Sequence, residues 1–268
     1  MAKEINFTKM VGAGNDFIVV DNRTVKIPAR AMAKKWCDRK YSIGADGLLL
    51  LEKTKKAGIR MRILNPDGSE AEMCGNGIRC IAKFAHDANL AGKQFKIETL
   101  AGIIDVEIKG AIVKAKMIEP KDLRLNFHLL VDGKSMELGF VNTGVPHAVS
   151  FVRSLKEVDV ERTGRLIRTH DHFKPRGANA NFIQIQPGRM IEIRTYERGV
   201  EGETLSCGTG STASALVVSA RQGWTSPVSV KTRSGEILKV YFSKEGDRFH
   251  DVYLEGPVQK CFEGRVAL

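Results

Sequence analysis

The sequence has no long apolar run. No stretch approaches the ~18 consecutive apolar residues that a membrane-spanning helix needs. The first residues, Met1 to Asn6, are charged and lack the apolar core of a signal peptide. We therefore expect a cytoplasmic protein without a membrane partner.

Cysteine is scarce as well. The five cysteines are an odd number, and none has the Cys-x-x-Cys spacing of structural zinc or redox sites. No nucleotide-binding loop, metal-ligand cluster or pyridoxal-lysine motif is recognisable. These absences argue against a disulfide framework, and we expect no metal ion and no organic cofactor.

Acidic residues are fewer than basic ones. The chain has 42 Lys and Arg against 31 Asp and Glu, which gives a formal net charge of +11. Such an excess attracts anions. The densest basic cluster has no interleaved aromatic residues and no recognised nucleic-acid module beside it. It comprises Lys53, Lys55, Lys56, Arg60 and Arg62. We expect a solvated face that helps to steer an anionic metabolite, and no nucleic-acid partner.

What the chain does contain is a repeated turn. Met73 to Gly77 and Ser206 to Gly210 share the pattern Cys-Gly-x-Gly at an offset of 133 residues. The same offset relates Glu70 to Glu203, Thr99 to Thr232, and Gly44 to Gly177. Recurrence at one offset indicates an internal duplication. The predicted lobes are residues 1–119, with the first of these cysteines, and residues 120–268, with the second; the extreme C-terminus is expected to pack back on the first lobe.

Both lobes are predicted to consist mainly of strands around few helices. Apolar alternation and β-branched runs between turn residues indicate the strands. In the first lobe they are Ile5–Lys9, Phe17–Asp21, Leu48–Leu51, Arg60–Leu64, Phe95–Thr99 and Ile103–Lys109, and in the second Val145–Val152, Asn181–Gln186, Met190–Tyr196, Val228–Thr232, Ile237–Phe242 and Val252–Glu255. The predicted helices run from Ala29 to Arg39, with Pro28 at the first helical position, from Asn76 to Asn89, and from Thr209 to Gln222. The fold class is therefore α+β, with two pseudo-symmetric lobes. Each lobe is expected to be a mostly antiparallel sheet wrapped around a central buried helix.

The helix that follows Cys207 is small and apolar almost all round, which is typical of a helix buried on every side. The unpaired N–H groups and the dipole at its N-terminus favour an anion, and they favour the thiolate form of a cysteine there. Both lobes supply such a helix end. We therefore expect the two helix N-termini to converge on one carboxylate.

Cys74 and Cys207 are the candidate catalytic pair. Inverting a stereocentre by proton transfer needs a base on one face and an acid on the other, and a thiol with a pKa of about 8.5 fills either role. His147 and Glu197 lie at strand ends and are candidates to polarise a cysteine or to hold a substrate ammonium. The other cysteines are expected to be ordinary buried residues; they are Cys37, Cys80 and Cys261.

Several blocks of the chain together resemble the diaminopimelate epimerase family. They are Lys9 to Phe17 (KMVGAGNDF), Asn65 to Ser69 (NPDGS) before Met73 to Cys80 (MCGNGIRC), Gly144 to His147 (GVPH), and Tyr196 to Gly199 (YERG) before Cys207 to Gly210 (CGTG). The blocks span nearly the whole chain in the family's order.

The resemblance implies a cofactor-independent isomerase that interconverts LL- and meso-diaminopimelate in lysine and peptidoglycan precursor biosynthesis. It implies a homodimer whose small-molecule substrate is a dicarboxylic diamino acid. Cys74 and Cys207 match the opposed acid and base, and His147 and Glu197 match residues that assist them. The matches that hold the reacting carboxylate are the backbone amides of Gly75, Asn76, Gly208 and Thr209. The matches that hold the distal amino-acid centre are Asn15, Asn65, Asn179, Glu197 and Arg198.

The chain departs from some family members at two positions, with Gly47 in place of Gln and Val145 in place of Asn, so two polar contacts to the substrate are absent. A racemase of another amino acid is the alternative. Asn76 stands where proline-racemase-like chains carry His, which disfavours that branch, whereas a histidine racemase stays open. Two cysteines in mirrored turns argue against a non-catalytic amino-acid-binding or RNA-binding protein.

Overall fold

The computed structural model describes residues 4–268, which form two compact units. The first unit extends to Lys116 and includes Gly256–Leu268, and the second is Met117–Glu255. Strands dominate both units, and the predicted α+β class is confirmed. Within residues 4–268, no helix is long and apolar enough to cross a membrane.

The first unit alternates strands with two helices. Its elements are β1 (Glu4–Gly12), β2 (Asn15–Asp21), α1 (Ala29–Trp36), β3 (Gly47–Glu52), β4 (Ile59–Leu64), β5 (Glu70–Ala71), α2 (Gly75–Asp87), β6 (Gln94–Thr99), β7 (Gly102–Lys109) and β8 (Ile112–Lys116).

The second unit has the same alternation after one additional strand. Its elements are β9 (Lys121–Val131), β10 (Lys134–Asn142), β11 (Pro146–Phe151), α3 (Val160–Thr169), β12 (Asn179–Gln186), β13 (Met190–Glu197), β14 (Gly202–Thr204), α4 (Gly208–Gln222), β15 (Val228–Lys231), β16 (Ile237–Glu245) and β17 (Arg248–Pro257). The chain ends with β18 (Gln259–Ala267).

Strand pairing repeats from one unit to the other. In the first unit, β1–β2 is antiparallel, β2–β3 parallel, β3–β4 antiparallel, β4–β6 parallel, and β6–β7 and β7–β8 antiparallel. The second unit repeats this order of directions. There, β10–β11 is antiparallel, β11–β12 parallel, β12–β13 antiparallel, β13–β15 parallel, and β15–β16 and β16–β17 antiparallel. The duplication therefore extends to sheet topology.

The last strand completes this correspondence. β18 pairs antiparallel with β1, as β9 does with β10. The strand beside β1 is thus β18, from the end of the chain, and the strand beside β10 is β9, from its middle. The sequence prediction had no strand at either place, nor at β8 or β10, and it lacked helix α3.

Each unit places one helix inside its core. In the first unit α2 buries Ile78, Ile81 and Ala85 against apolar side chains of the sheet, while α1 packs with Trp36 into a separate cluster. In the second unit every residue of α4 from Gly210 to Ser219 is buried. The prediction of a central buried helix in each lobe is therefore confirmed.

Helix α1 is shorter than predicted. It ends at Trp36, with Cys37 as its C-cap, whereas the sequence indicated Arg39. The carboxylate of Asp38 accepts the backbone N–H groups of Lys40 and Tyr41, so the chain turns there instead of continuing the helix. Pro28 is the N-cap and precedes the first helical residue.

An equivalent ion pair lies beside each cysteine turn. Arg62 forms two bonds to Glu70, at 2.8 and 2.9 Å, and Arg194 forms two to Glu203, both at 2.7 Å. The first pair joins β4 to β5 and the second joins β13 to β14, and β5 and β14 are the short strands that precede the cysteine turns. Such bidentate contacts fix geometry as well as charge. Arg62 is therefore an exception to the predicted solvated basic face.

A repeated glycine turn precedes β3 and β12. Gly44 and Gly177 both have positive φ, of 75° and 72°. A Cβ on Gly44 would lie 2.9 Å from the Arg39 Cα, and one on Gly177 would overlap the carbonyl oxygen and guanidinium of Arg168. Glycine is required at both positions for two reasons, the backbone conformation and the lack of space.

We predict that Gly177→Ala lowers the free energy of unfolding more than Gly188→Ala does. Gly188 is the matched control because its φ is also positive, 78°, yet nothing lies within 4 Å of a Cβ there. The control measures the backbone cost alone, about 1 kcal/mol, and the overlap at Gly177 adds about 1–3 kcal/mol. Urea unfolding measures both variants. Equal losses would contradict the steric part of this explanation.

Candidate active site

Helix α2 begins at Cys74. This residue is the N-cap in an extended conformation (φ −141°, ψ 121°), and its Sγ accepts the N–H of Gly77 at 3.4 Å. The sulfur thus takes the place of the oxygen that usually caps a helix. A Cβ on Gly77 would lie only 3.2 Å from a Leu49 methyl, so the turn packs tightly on β3.

Helix α4 begins in the same way at Cys207. Its φ is −122° and its ψ 111°, and its Sγ accepts the N–H of Gly210 at 3.4 Å. The hydroxyl of Thr209 is also 3.4 Å from this sulfur. The repeated Cys-Gly-x-Gly pattern therefore folds into the same cap in both units.

The first turn of each helix is suited to an anion. Neither turn contains an acidic residue. First-turn N–H groups have no partner within a helix, and the helix dipole adds to their positive potential. Four residues predicted to bind the carboxylate lie in these turns: Gly75, Asn76, Gly208 and Thr209. A cysteine at the same end has its thiolate form stabilised.

In the first unit the structure brings Asn15 and Asn76 together. Asn76 is buried and donates from Nδ2 to Oδ1 of Asn15 at 2.5 Å. The Oδ1 of Asn76 accepts a hydrogen bond from Arg79, which also donates to the carbonyl of Gly75 at 2.9 Å. Arg79 is fully buried and was absent from the predicted site, although its place three residues after Asn76 on one helix was readable.

A charged network supports Asn15 from the other side. Its Nδ2 donates to Asp46 at 3.1 Å, and Arg39 contacts both Asp46 and Asp16, at 2.7 and 2.6 Å. Lys9 is buried and lies 2.7 Å from Asp16. Burial alone would raise the Asp16 pKa, but hydrogen bonds from Arg39 and Lys9 outweigh it and hold the pKa below its usual value.

Asn65 lies in an exposed turn. Its Nδ2 donates to Ser69 Oγ at 3.0 Å, and its backbone N–H donates to the Ser69 carbonyl. These bonds are local to the turn and are not made to the pair of Asn15 and Asn76.

His147 lies at the start of β11 and is fully buried. The parallel register of β11 and β12 aligns it with Asn179, and the next residue on that face, Asn181, contacts its Nδ1 at 3.1 Å. Burial, followed by the positive charge of Arg198, lowers the His147 pKa to about 3. The ring is therefore neutral at physiological pH.

Asn179, Glu197 and Arg198 lie near one another at the ends of β12 and β13. The Asn179 Oδ1 accepts the backbone N–H of Arg198 at 2.7 Å, and Glu197 accepts the hydroxyl of Thr204 at 3.1 Å. The bond from Arg198 N–H to Asn179 fixes the backbone that carries the Arg198 side chain.

The guanidinium of Arg198 makes no salt bridge with any of residues 4–268. Burial, followed by the charges of Arg168 and Arg176, lowers its pKa. Desolvation and like charge both disfavour its charged form, so a carboxylate bound beside it would be stabilised strongly.

The turn after Arg198 is closed by an ion pair that the sequence did not reveal. Glu201 accepts two bonds from Arg168, at 2.9 and 3.1 Å, and also the N–H of Gly199 at 3.1 Å. Arg168 belongs to α3, the helix missed in the sequence. Glu201 neutralises the charge of Arg168. Arg176 and Arg198 are left as two positive charges near one another.

The remaining cysteines differ from one another. Cys37 and Cys80 are buried as expected, but Cys261 is exposed on β18, so the prediction of a buried residue was wrong there. Most side chains on β18 are exposed, and the strand pairs with β1 along its length. The described residues contain no cluster of His, Cys, Asp and Glu able to hold a metal ion.

Comparisons with known proteins agree with these motifs. The family model described as diaminopimelate epimerase matches residues 7–120 and 139–261. A diaminopimelate epimerase from Aquifex aeolicus is 42% identical over 98% of this chain and 98% of its own. One from Methanocella arvoryzae is 44% identical over 98% of this chain and 97% of its own.

Solved structures show the same fold at low identity. A PhzF-family phenazine biosynthesis protein from Bacillus anthracis has a TM-score of 0.79 at 17% identity, over 99% of this chain and 100% of its own. A hydroxyproline epimerase from Agrobacterium vitis has a TM-score of 0.76 at 16% identity, over 100% of this chain and 94% of its own. These likenesses establish the fold alone.

We predict that Cys37 resists alkylation in the folded protein whereas Cys261 does not. Burial raises the pKa of the Cys37 thiol to about 11, so almost none of it is the reactive thiolate at about pH 8. Iodoacetamide labelling followed by peptide mass mapping measures both sites. In guanidinium chloride the two should label alike, and equal labelling of the folded protein would contradict the assignment.

Proposed function

Because the chain belongs to the diaminopimelate epimerase family, and is therefore an isomerase of lysine biosynthesis, we propose that it interconverts LL- and meso-diaminopimelate with Cys74 and Cys207 as acid and base. The observation that carries the proposal is the repeated cap, in which each cysteine sulfur accepts the third N–H of its helix at 3.4 Å. Similarity over nearly the full length of curated relatives supports the substrate.

The proton balance of the reaction is simple. One thiolate removes the α-proton from one face of the substrate carbon, and the opposite thiol donates its proton to the other face. The enzyme then holds the reversed protonation pattern, which suits the reverse reaction. The same two groups therefore serve both directions.

The α-proton of an amino acid is much less acidic than a thiol, so the developing charge needs stabilisation. That charge spreads onto the reacting carboxylate. In the proposal, backbone N–H groups of Gly75, Asn76, Gly208 and Thr209 donate to the carboxylate oxygens. Fixed donors at helix N-termini stabilise such charge without reorganisation.

The distal end of the substrate is also an amino-acid group. Arg198 is proposed to bind the distal carboxylate because it is partly desolvated and has no salt bridge within residues 4–268. Asn15, Asn65, Asn179 and Glu197 are proposed to hold the rest of this centre. Carboxyl and carbonyl oxygens among them are suitable acceptors for an ammonium.

Other features remain part of the proposal. His147 and Glu197 assist the cysteines, no cofactor is required, and the protein is a homodimer in the cytoplasm. The two domains are proposed as predicted, residues 1–119 and 120–268, with the extreme C-terminus packing back on the first domain.

The proposed function predicts which substrate the protein converts. Purified protein, dialysed against a chelator, should convert LL-diaminopimelate to the meso form and back without added metal or pyridoxal phosphate. L-histidine and L-proline should be unchanged, because neither has a second amino-acid centre for Arg198 to bind. Chiral chromatography measures each conversion. Racemisation of histidine in place of diaminopimelate would favour the alternative racemase.

The proposed function also predicts how the two cysteine variants behave. Cys74→Ser and Cys207→Ser should each lose epimerase activity by at least about 100-fold, because a hydroxyl is a far weaker acid than a thiol. Each variant keeps one competent thiol. Each should therefore still exchange the α-proton of one stereoisomer in deuterated water, with opposite preferences for the LL and meso forms.

Cys261→Ser is the matched control for these variants and should retain full activity, because Cys261 is exposed on the final strand. Identical stereoisomer preferences in the two active-cysteine variants would mean that a single base serves both faces. Full activity of either variant would contradict the pair.

A further inference from the structure

The ring of His147 has one nitrogen in a hydrogen bond and one without. Nδ1 lies 3.1 Å from Nδ2 of Asn181. Nε2 is buried and has no hydrogen-bond partner among residues 4–268. Buried polar groups are nearly always satisfied, so a buried orphan on a candidate catalytic residue points to a ligand.

The orientation of the Asn181 amide is fixed by two further bonds. Nδ2 also donates to the carbonyl of Ala148 at 2.9 Å, and Oδ1 accepts the hydroxyl of Thr195 at 3.0 Å. Reversing the amide would place Oδ1 against the Ala148 carbonyl, where two acceptors would meet. The group that faces His147 is therefore the NH₂ donor, and Nδ1 must accept.

We infer that Asn181 is a positioning residue that keeps His147 in one tautomer, with its ring proton on Nε2, so that Nε2–H donates to an anionic group of the reaction. The inference rests on the proposed function for the identity of that group. A neutral imidazole whose Nδ1 is already an acceptor has no free lone pair. His147 therefore supports an anion and does not hold the substrate ammonium.

Protonation of His147 is opposed by the same neighbours. An imidazolium would turn its Nδ1–H toward the NH₂ of Asn181, where two donors would meet. Complete burial, followed by the positive charge of Arg198, acts in the same direction, and these two causes lower the pKa of His147 to about 3. The Nε2–H tautomer is thus maintained throughout the range in which a thiol titrates.

Asn181 also contacts the cysteine-capped turn. A Cβ on Gly210 would lie 2.5 Å from the Asn181 Oδ1, and the N–H of Gly210 donates to Cys207 Sγ. One amide therefore packs against the first turn of α4 and orients the imidazole. Two anionic acceptors fit the inference, a substrate carboxylate and a cysteine thiolate.

The tautomer can be measured directly in the unmodified protein. Two-dimensional ¹H–¹⁵N NMR of histidine-labelled protein distinguishes the Nε2–H form, the Nδ1–H form and the imidazolium. His147 should show the Nε2–H pattern without titrating between about pH 5 and 9. Its signals are identified by their absence in His147→Gln. An Nδ1–H form, or the appearance of the imidazolium pattern in this range, would overturn the inference whether or not the protein epimerises diaminopimelate.

Two variants test the role of Asn181. Asn181→Asp replaces the donor with an acceptor, so His147 should place a proton on Nδ1 and kcat should fall at least about 100-fold. Thr195→Val is the matched control, because it removes the bond to Oδ1 and leaves both Nδ2 bonds in place. It should keep the Nε2–H pattern and most of kcat. Loss of kcat in Asn181→Asp without a change of tautomer would contradict positioning.

The two possible acceptors give different results in the same spectra. If the acceptor is a substrate carboxylate, added diaminopimelate should shift the Nε2–H proton signal. If it is a thiolate, the signal should shift as pH rises without ligand, and alkylation of the cysteines should abolish that shift. A signal that moves in neither experiment would contradict the donor role.

Discussion

The structure depends on a sulfur that caps a buried helix. In each unit the cysteine side chain accepts the N–H of the third helical residue, so the atom that begins the helix is also the proposed reacting atom. The same hydrogen bond and helix dipole that start the helix also favour the thiolate. Placing this helix in the core fixes its first turn, and Gly77 and Gly210 let the two turns pack closely against neighbouring side chains.

Duplication explains how two such caps arise in one chain. The order of parallel and antiparallel pairings, the Arg–Glu pairs beside the turns and the positive φ of Gly44 and Gly177 all occur twice. The polar support has diverged within this common framework. Asn76 and a buried Arg79 accompany the first cap, whereas the second unit has a buried His147 held by Asn181.

The sequence predicted the two central helices and most core strands because their residues are apolar and bounded by turn residues. Strand β9 alternates from Leu123 to Val131 and was readable, but its side chains are largely exposed. Helix α3 was obscured by Gly164, which a helix rarely favours and which is present because a Cβ there would overlap Tyr196. Its start was readable, since Asp159 caps it.

Site residues on one continuous motif were predictable, and contacts between distant segments were not. The cysteine turns and their adjacent amides follow from local pattern. The bond between His147 and Asn181 depends on the parallel register of β11 and β12. The ion pair of Arg168 and Glu201, which closes the turn after Arg198, depends on a helix absent from the prediction. No single-sequence pattern specifies such register.

The central claim is that two different groups remove and return the proton. The most direct measurement starts the reaction from LL-diaminopimelate in deuterated water and stops it at low conversion. Mass spectrometry should then find one deuterium in each molecule of meso product and none in the remaining LL substrate, because the donated proton comes from a thiol already equilibrated with solvent. Product that retains the original α-hydrogen would show that one group carries the proton between faces, and it would contradict the account.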